Sequence, residues 1–159
     1  MTMAALDTHP RQRLLFFLVQ GRDASSRDTM VGLVSGLERS RDWLLGPPRT
    51  IDVFEMYHSR EGDLRIDTLG GELEICSALG PVALPDDVDA VFLSEVRTVV
   101  EAVRRTSKDY GLCCGFELDD TYVGTIEDGD ADATLQLGLL DSWHERLEKD
   151  FVDAFSGGA

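Results

Sequence analysis

Three aspartates at alternate positions are the residues most suggestive of metal chemistry in this chain. Asp128, Asp130 and Asp132 occur in the stretch TIEDGDADATLQLGLLDSW, where they match ligand positions 1, 3 and 5 of an EF-hand calcium loop. Such a loop has a turn glycine at position 6 and a bidentate glutamate at position 12, whereas alanine and leucine occupy these positions here. A strand pattern, not a helix, precedes the aspartates. We therefore predict no metal site.

A helix start explains the same aspartates without a metal. Asp130 or Asp132 can accept hydrogen bonds from the free N–H groups of a first helical turn, and negative charge there complements the helix dipole. Apolar residues then recur at every fourth position: Leu135, Leu139, Trp143, Leu147, Phe151 and Phe155. This stripe predicts an amphipathic helix from about residue 132 to 154, with one face in the core.

Nucleophilic catalysis would need a cysteine or serine beside an oriented base. Cys76, Cys113 and Cys114 lie in apolar strand patterns, where a free thiol behaves as a small buried hydrophobe. Adjacent strand residues point to opposite faces, so Cys113 and Cys114 make a poor disulfide pair, and we expect reduced thiols. The available bases are His9, His58 and His144. Nothing in the sequence brings a histidine to a cysteine, and we predict no catalytic residues.

The composition is that of a globular protein. At 159 residues and 43% hydrophobic content, the chain can bury a real core. We predict a single domain over residues 1–159, with flexible ends at 1–12 and 156–159. The start shows no apolar run followed by a cleavage site, and the apolar run LLFFLV is too short to span a bilayer. These features predict a cytoplasmic protein.

The charge excludes several partners and suggests another. With 15 basic and 30 acidic residues, the formal net charge is -15, so nucleic acids and anionic membranes repel the chain. No glycine pattern for phosphate binding is present, and we predict no cofactor. From Gly115 to the end the chain has 12 acids and 2 bases. Such asymmetry suggests an interaction surface, although a solvated face is the alternative.

The most distinctive stretch is FELDDTYVGTIEDG, which predicts a β-hairpin that turns at Asp119-Asp120. Tyr122 should face the same side as Glu117, and a tyrosine among carboxylates suits a binding hot spot. An exposed hairpin kept soluble by its charge is the alternative. The residues predicted to contact a partner are termed the acidic surface: Glu117, Asp119, Asp120, Tyr122, Glu127, Asp128, Asp130 and Asp132.

The remaining patterns predict the element order β-α-β-β-β-α-β-β-α. A buried strand at 13–21 precedes a helix at 28–45. Asp86 or Asp87 can cap a second helix, which closes at Gly111. Between the helices lie strands at 50–59, 64–69 and 72–78, the last two joined by a Gly70-Gly71 turn. The buried stripe of the second helix comprises Val88, Phe92, Val96, Val99 and Val103. This order predicts an α+β domain with a largely antiparallel sheet and about three helices packed on it.

The small acidic α+β build, the lack of catalytic motifs and the ELDDTYVGTIEDG hairpin before a terminal amphipathic helix resemble bacterial immunity proteins of polymorphic-toxin or contact-dependent competition systems. The resemblance implies a cytoplasmic protein that binds one cognate toxin. Many such toxins have basic clefts, which an acidic surface would complement. Two alternatives stay open. One is a small enzyme built from carboxylates with His58 or His144. The other is an adaptor or chaperone-like protein that uses an apolar helix face, which an exposed apolar patch would favour.

Overall fold

The computed structural model describes residues 6, 8–19, 24–76 and 84–148. The last helix, α3, starts as a π-helix and continues as an α-helix over residues 142–148. The elements in chain order are β1 Arg11–Leu18, α1 Ala24–Ser40, β2 Arg49–Ser59, β3 Gly62–Cys76, α2 Asp86–Tyr110, β4 Cys113–Leu118, β5 Thr121–Glu127, β6 Asp130–Ala131 and the π-helical start of α3, Thr134–Asp141.

The strands form one six-stranded antiparallel sheet in the order β2-β3-β1-β4-β5-β6. The predicted α+β class with three helices is confirmed. The first strand in the chain is central in the sheet, because β1 pairs with β3 on one side and β4 on the other. Phe16, for example, lies between Gly71 of β3 and Phe116 of β4.

The predicted turn at Gly70-Gly71 is wrong. Strand β3 runs without interruption from Gly62 to Cys76, so the predicted strands 64–69 and 72–78 are parts of one strand as far as the described residues extend. Gly71 faces Phe16 across the β1–β3 pair, and a Cβ on Gly71 would overlap the Phe16 ring. Gly71 therefore makes room for the Phe16 ring, and neither glycine reverses the chain. The reversal comes earlier, between Ser59 and Gly62.

Most of the buried sheet side chains lie on one face, and the helices pack on that face. Residues alternate across a strand, and the buried members share one side: Leu14, Phe16, Leu18, Leu73, Ile75, Cys114, Phe116 and Ile126. The predicted stripe of α2 is confirmed, with Phe92, Val96, Val99 and Val103 buried and Val88 half-buried. The opposite face of the sheet is termed the open face.

The ends of α2 differ in how they are capped. The helix closes as predicted at Gly111, which has a left-handed φ of 65°, and Leu112 N–H donates to the Ser107 carbonyl at 3.0 Å. The predicted cap by Asp86 or Asp87 is wrong, because Pro85 occupies the cap position and no side chain caps the helix. Asp86 and Asp87 stand in the first turn, where their charge still favours the helix dipole.

The first two turns of α3 shift the predicted apolar stripe by one residue. Leu135 and Leu140 are buried while Leu139 is only half-buried, because a π-helix brings residues five apart onto one face. The hydrogen bond from Gln136 Nε2 to Asp141 Oδ1, at 3.0 Å, has the same spacing. Trp143 and Leu147 pack on the core as predicted. Phe151, Phe155 and the predicted end of the helix lie outside the described residues.

Helix α1 ends earlier than predicted, at Ser40 instead of residue 45. The following segment bends back across α2, where Arg41 NH1 donates to Ser94 Oγ at 2.9 Å and to Thr98 Oγ1 at 3.0 Å. The indole N–H of Trp43 then donates to the Leu37 carbonyl of α1 at 3.2 Å. These bonds fix the passage from α1 into the edge strand β2.

At the N-terminal end, Leu6 and His9 are buried and β1 begins at Arg11, within the range 1–12 that we predicted to be flexible. The predicted flexible end 156–159 lies outside the described residues. Among the helices that the structure describes, none is long and apolar enough to cross a bilayer.

Candidate functional site

The β4–β5 hairpin turns where the sequence predicts. Asp119 and Asp120 have positive φ values of 48° and 65°, the geometry of a type I′ turn, which aspartate tolerates better than most residues. Asp119 also anchors the turn to β1. Its N–H donates to the Arg13 carbonyl at 3.0 Å, and its Oδ1 accepts the Arg13 N–H at 2.9 Å. Glu117 faces Tyr122 across the hairpin, as predicted.

A second tight turn lies at the other end of β5. Asp128 and Gly129 have φ values of 49° and 83°, and Glu127 faces Asp130 across the turn. Helix α2 holds this turn in place. Arg104 Nε donates to the Gly129 carbonyl at 3.2 Å, and the Gly129 N–H donates to Ser107 Oγ at 3.1 Å. The two turns therefore fix both ends of the acidic surface.

Asp132 begins α3, which confirms the helix-start interpretation for that residue. Its Oδ1 accepts the Leu135 N–H at 2.9 Å, the bond that an N-cap side chain makes. Its Oδ2 accepts the Thr125 N–H at 3.1 Å and the Tyr122 hydroxyl at 3.2 Å. Asp130 lies in strand β6 instead. Asp132 therefore joins the hairpin to the helix, and both its oxygens are occupied.

Alternation places part of the acidic surface on the open face. Phe116 and Ile126 are buried under the helices, so their neighbours Glu117 and Glu127 point the other way. Tyr122 and Asp130 face these two residues across their strand pairs and share that side. Asp119 and Asp120 lie at one end and Asp128 at the other. At about 3.3 Å per residue, β5 separates the two ends by about 20 Å.

The carboxylates of the acidic surface lack basic partners within the described chain. No ion pair there involves Glu117, Asp119, Asp120, Glu127, Asp128 or Asp130. Some acids elsewhere are paired, such as Glu72 with Arg49 at 2.6 Å and Asp89 with Arg146 at 3.0 Å. The negative charge of this surface is therefore left for solvent or a partner.

Tyr122 has a fixed hydroxyl and an exposed ring. The hydroxyl lies 2.6 Å from Thr125 Oγ1 and donates to Asp132, while the residue is 54% exposed. The ring therefore offers apolar area among carboxylates without the cost of ordering a free side chain.

The thiols are poor nucleophiles. Burial raises the pKa of Cys114 to about 12, and it also raises the pKa values of Cys76 and Cys113, so all three remain protonated at neutral pH. His58 bonds Asp63 at 2.7 Å and His144 bonds Glu148 at 3.0 Å. No histidine–cysteine pair occurs in the described part of the chain.

A cleft of about 1470 Å³ runs between α1, α2 and α3. Its buried lining is apolar, with Leu37 and Leu93, and small residues such as Gly36 and Ala90 widen it. Its charged lining residues are all exposed: Asp86, Asp87, Arg97, Glu101, Arg105, His144 and Glu148. Over the described ranges, no group of three histidine, cysteine or acidic side chains could hold a metal ion. The cleft depends on how three helices pack, so sequence reasoning missed it.

A second feature missed from the sequence is the β2–β3 arm, residues 51–67. Almost all of β2 is exposed on both faces. The exposed large apolar residues of the arm are Val53, Phe54, Met56, Tyr57, Leu64 and Ile66. The available signal was the pairs Val53-Phe54 and Met56-Tyr57, which put apolar side chains on both faces of one strand.

Comparisons with known proteins find no match: no family model, no curated protein and no solved structure is significantly similar to the chain. Charge, exposure and geometry of the chain itself are therefore what support a function.

Proposed function

We propose that this chain is a cytoplasmic immunity protein that binds and neutralises a cognate basic bacterial toxin through its acidic surface. The observation that carries the proposal is the set of carboxylates without basic partners in the described chain: Glu117, Asp119, Asp120, Glu127, Asp128 and Asp130. Like charges held close together repel one another, and a cationic partner removes that repulsion.

The acidic surface is also preorganised. Two positive-φ turns, the bonds from Asp119 to Arg13 and the bonds from Gly129 to α2 hold its ends. A surface that is already ordered loses little conformational entropy on binding. Its charge steers a basic partner during diffusion, and Tyr122 can then contribute apolar contact after docking.

The physiological test is protection. The gene that adjoins the one for this chain is expressed in a bacterial host, alone and together with this chain. Co-expression should restore growth, and the two proteins should purify as a complex. Growth arrest that co-expression leaves unchanged would count against the proposal.

The acidic surface is tested with a charge-matched pair of variants. The first carries Glu117→Gln, Asp120→Asn, Glu127→Gln and Asp130→Asn, and it spares Asp119 and Asp132 because their carboxylates hold the fold. The control removes four exposed acids elsewhere, with Glu38→Gln, Asp42→Asn, Glu61→Gln and Glu145→Gln. The net charge change is the same in both.

Surface-plasmon kinetics with the co-purified partner at two salt concentrations separates the two variants. The first should associate about tenfold more slowly at low salt, with a flatter salt dependence, because local charge steers the encounter. The control should stay close to the wild type. Equal slowing of both variants would mean that net charge matters and that the acidic surface is not the contact.

Tyr122 is tested by its effect on dissociation. Tyr122→Ala should speed dissociation about tenfold or more if the ring is buried in the interface. Tyr122→Phe keeps the ring and loses the bonds to Thr125 and Asp132, so it should dissociate nearly as slowly as the wild type. Fast dissociation of both variants would assign the effect to the hydroxyl.

The cleft between the helices favours an adaptor as the second candidate function. Its apolar floor, with Leu37 and Leu93, has the character of a groove that receives a partner helix. Ala90 is exposed at this cleft, so Ala90→Arg would block it without entering the core. Loss of partner binding in this variant, with normal binding in the four-acid variant, would favour the adaptor.

A further inference from the structure

Strand β2 is a long, unprotected edge. It has 11 residues, pairs only with β3 among the described strands and shows no register irregularity along that pairing. Edge strands are normally blunted by shortness, lysine, proline or a bulge, because their free N–H and C=O groups can pair with another chain. The sequence RTIDVFEMYHS contains neither lysine nor proline.

The arm presents apolar side chains, whereas several of its charges are paired within the chain. Its six large apolar residues are between 41% and 59% exposed. Asp52 pairs with Arg27, Asp63 with His58 at 2.7 Å, and Asp67 with Arg65 at 2.9 Å. In this respect the arm differs from the acidic surface, whose carboxylates form no ion pair with the residues that the structure describes.

We propose that β2 pairs antiparallel with β2 of a second copy of this chain, which joins two sheets into one across a twofold axis. Opposite residues in an antiparallel pair point to the same face. A twofold axis perpendicular to the sheet also keeps each residue on its face, so the central residue must lie opposite its own copy. The symmetry therefore admits only registers that are centred on a residue.

Charge and the length of strand that is paired together select one of these registers. A centre at Asp52 or at Glu55 would place a carboxylate opposite its own copy, which is destabilising. A centre at Phe54, the middle residue of Arg49–Ser59, pairs the whole strand. It puts Ile51 opposite Tyr57, Asp52 opposite Met56 and Glu55 opposite Val53, so no like charges face each other. A centre at Val53 leaves the last two residues of the strand unpaired.

The strong net charge of the chain does not prevent this contact. Strand β2 lies at one edge of the sheet, and β4, which carries the nearest part of the acidic surface, lies three strand spacings of about 4.8 Å away, or about 14 Å. The Debye length at physiological ionic strength is about 8 Å, so the two acidic surfaces are screened from the contact. Both would remain free to bind partners.

Sedimentation velocity on the purified chain at physiological salt tests the pairing. The dimer fraction should rise with protein concentration, with a dissociation constant below about 100 μM, which is weak association. The double variant Phe54→Lys, Tyr57→Lys should stay monomeric and folded, because both residues are exposed. Within the described chain it removes only the contact of Arg65 with the Phe54 ring, at 4.1 Å, and the hydrogen bond from Tyr57 to Glu55. Leu137→Lys, at another exposed apolar residue of 61% exposure, is the control and should dimerise. A monomeric wild type, or a dimer that the double variant leaves intact, would overturn the proposal.

Oxidative cross-linking tests the register. In a Cys113→Ser background, Phe54→Cys places two thiols opposite each other and should give a disulfide-linked dimer. Thr50→Cys would face His58 of the other copy and should not cross-link. Equal cross-linking of both variants would exclude this register.

The same variants separate this proposal from the proposed function. If the double arm variant loses the basic partner while the chain alone is monomeric, the arm contacts that partner and the dimer proposal fails. If the four-acid variant loses the partner and still dimerises, the two surfaces act independently, as we propose.

Discussion

Trp143 of α3 donates its indole N–H to Asp89 of α2 at 3.0 Å, and the other oxygen of the same buried carboxylate accepts from Arg146 at 3.0 Å. A carboxylate that loses water on burial must regain hydrogen bonds inside the protein. Both come here from one turn of the last helix. The contact therefore fixes α3 on α2 and, through Asp132, fixes the end of the acidic surface.

Trp143→Ala should destabilise the protein by about 3 kcal/mol, because it removes a large packed ring and leaves Asp89 short of a donor. Trp143→Phe keeps most of the packing and should cost about 1 kcal/mol. Urea unfolding followed by circular dichroism measures both. A shift near zero for the alanine variant would mean that Trp143 contributes no packing energy.

Asp132→Ala should cost about 1 to 2 kcal/mol, because it removes the acceptor for the first turn of α3 and for Thr125. Asp130→Ala, two residues earlier and exposed, should stay within about 0.5 kcal/mol of the wild type. Equal effects in thermal melts would contradict the different positions of these two carboxylates.

Calcium should not bind tighter than the millimolar range at Asp128, Asp130 and Asp132, as isothermal titration would measure. The reason is that both oxygens of Asp132 already accept protein hydrogen bonds. A micromolar constant that Asp130→Ala abolishes would reverse this interpretation.

Gly71→Ala should destabilise by about 3 kcal/mol, since its methyl group would overlap the Phe16 ring in the centre of the sheet. Gly32→Ala is the matched control. Gly32 lies in α1 with nothing within 4 Å of an added methyl group, so this change should stabilise by up to about 1 kcal/mol. The two variants should move the denaturation midpoint in opposite directions. Destabilisation by both would contradict the packing described for Gly71.

Glu95 of α2 is fully buried. Its Oε2 accepts the Leu44 N–H at 3.2 Å, and its Oε1 finds no partner in the described chain. Burial raises the pKa of Glu95 above its ordinary value of 4.5, although the bond from Leu44 and the charge of Arg41 oppose the shift. Burial therefore makes the charged form of Glu95 unfavourable in the folded protein.

The pH dependence follows from linkage. Well below pH 4.5 the carboxyl is protonated in both the folded and the unfolded state, so its ionisation does not affect stability. As the pH rises, the unfolded chain releases the proton first, so stability falls until the folded pKa is passed. Each pKa unit of elevation corresponds to about 1.4 kcal/mol. Glu95→Gln should not show this fall in stability, so its free energy of unfolding should increase relative to the wild type as the pH rises. Glu101→Gln, at an exposed position of the same helix, should show the same pH dependence as the wild type.

Local patterns in the sequence predicted much of the fold. The α2 stripe, the Asp119-Asp120 turn and the start of α3 follow from periodicity, turn chemistry and capping, which act between residues close in the chain. The turn predicted at Gly70-Gly71 was wrong because these glycines are required by close contact with Phe16, which lies more than fifty positions away in the sequence. No local sequence rule reports such a neighbour. The π-helical spacing of Leu135 and Leu140 was not predicted for a similar reason, since tertiary packing decides where a helix widens.

The candidate site was predictable in part. The clustering of acids and the pairing of Glu117 with Tyr122 could be inferred from the hairpin pattern. The anchoring of Asp119 on Arg13 could not, because β1 comes to lie beside β4 only in the folded sheet. The absence of ion pairs from the acidic surface, within the described residues, and the exposure of the arm also depend on the folded surface, so the sequence did not predict them.

The position of β1 sets the order in which this protein can fold. The earliest of the described strands, β1, is central in the sheet, and its second neighbour, β4, ends only at Leu118. Until then, Leu14 and Phe16 lack one of their two neighbouring strands, whereas β2 and β3 can already pair with each other. Sheets closed by such distant pairings fold slowly and leave apolar strands uncovered for longer. In a nascent chain, the apolar side chains of β1 therefore stay partly uncovered until β4 is made.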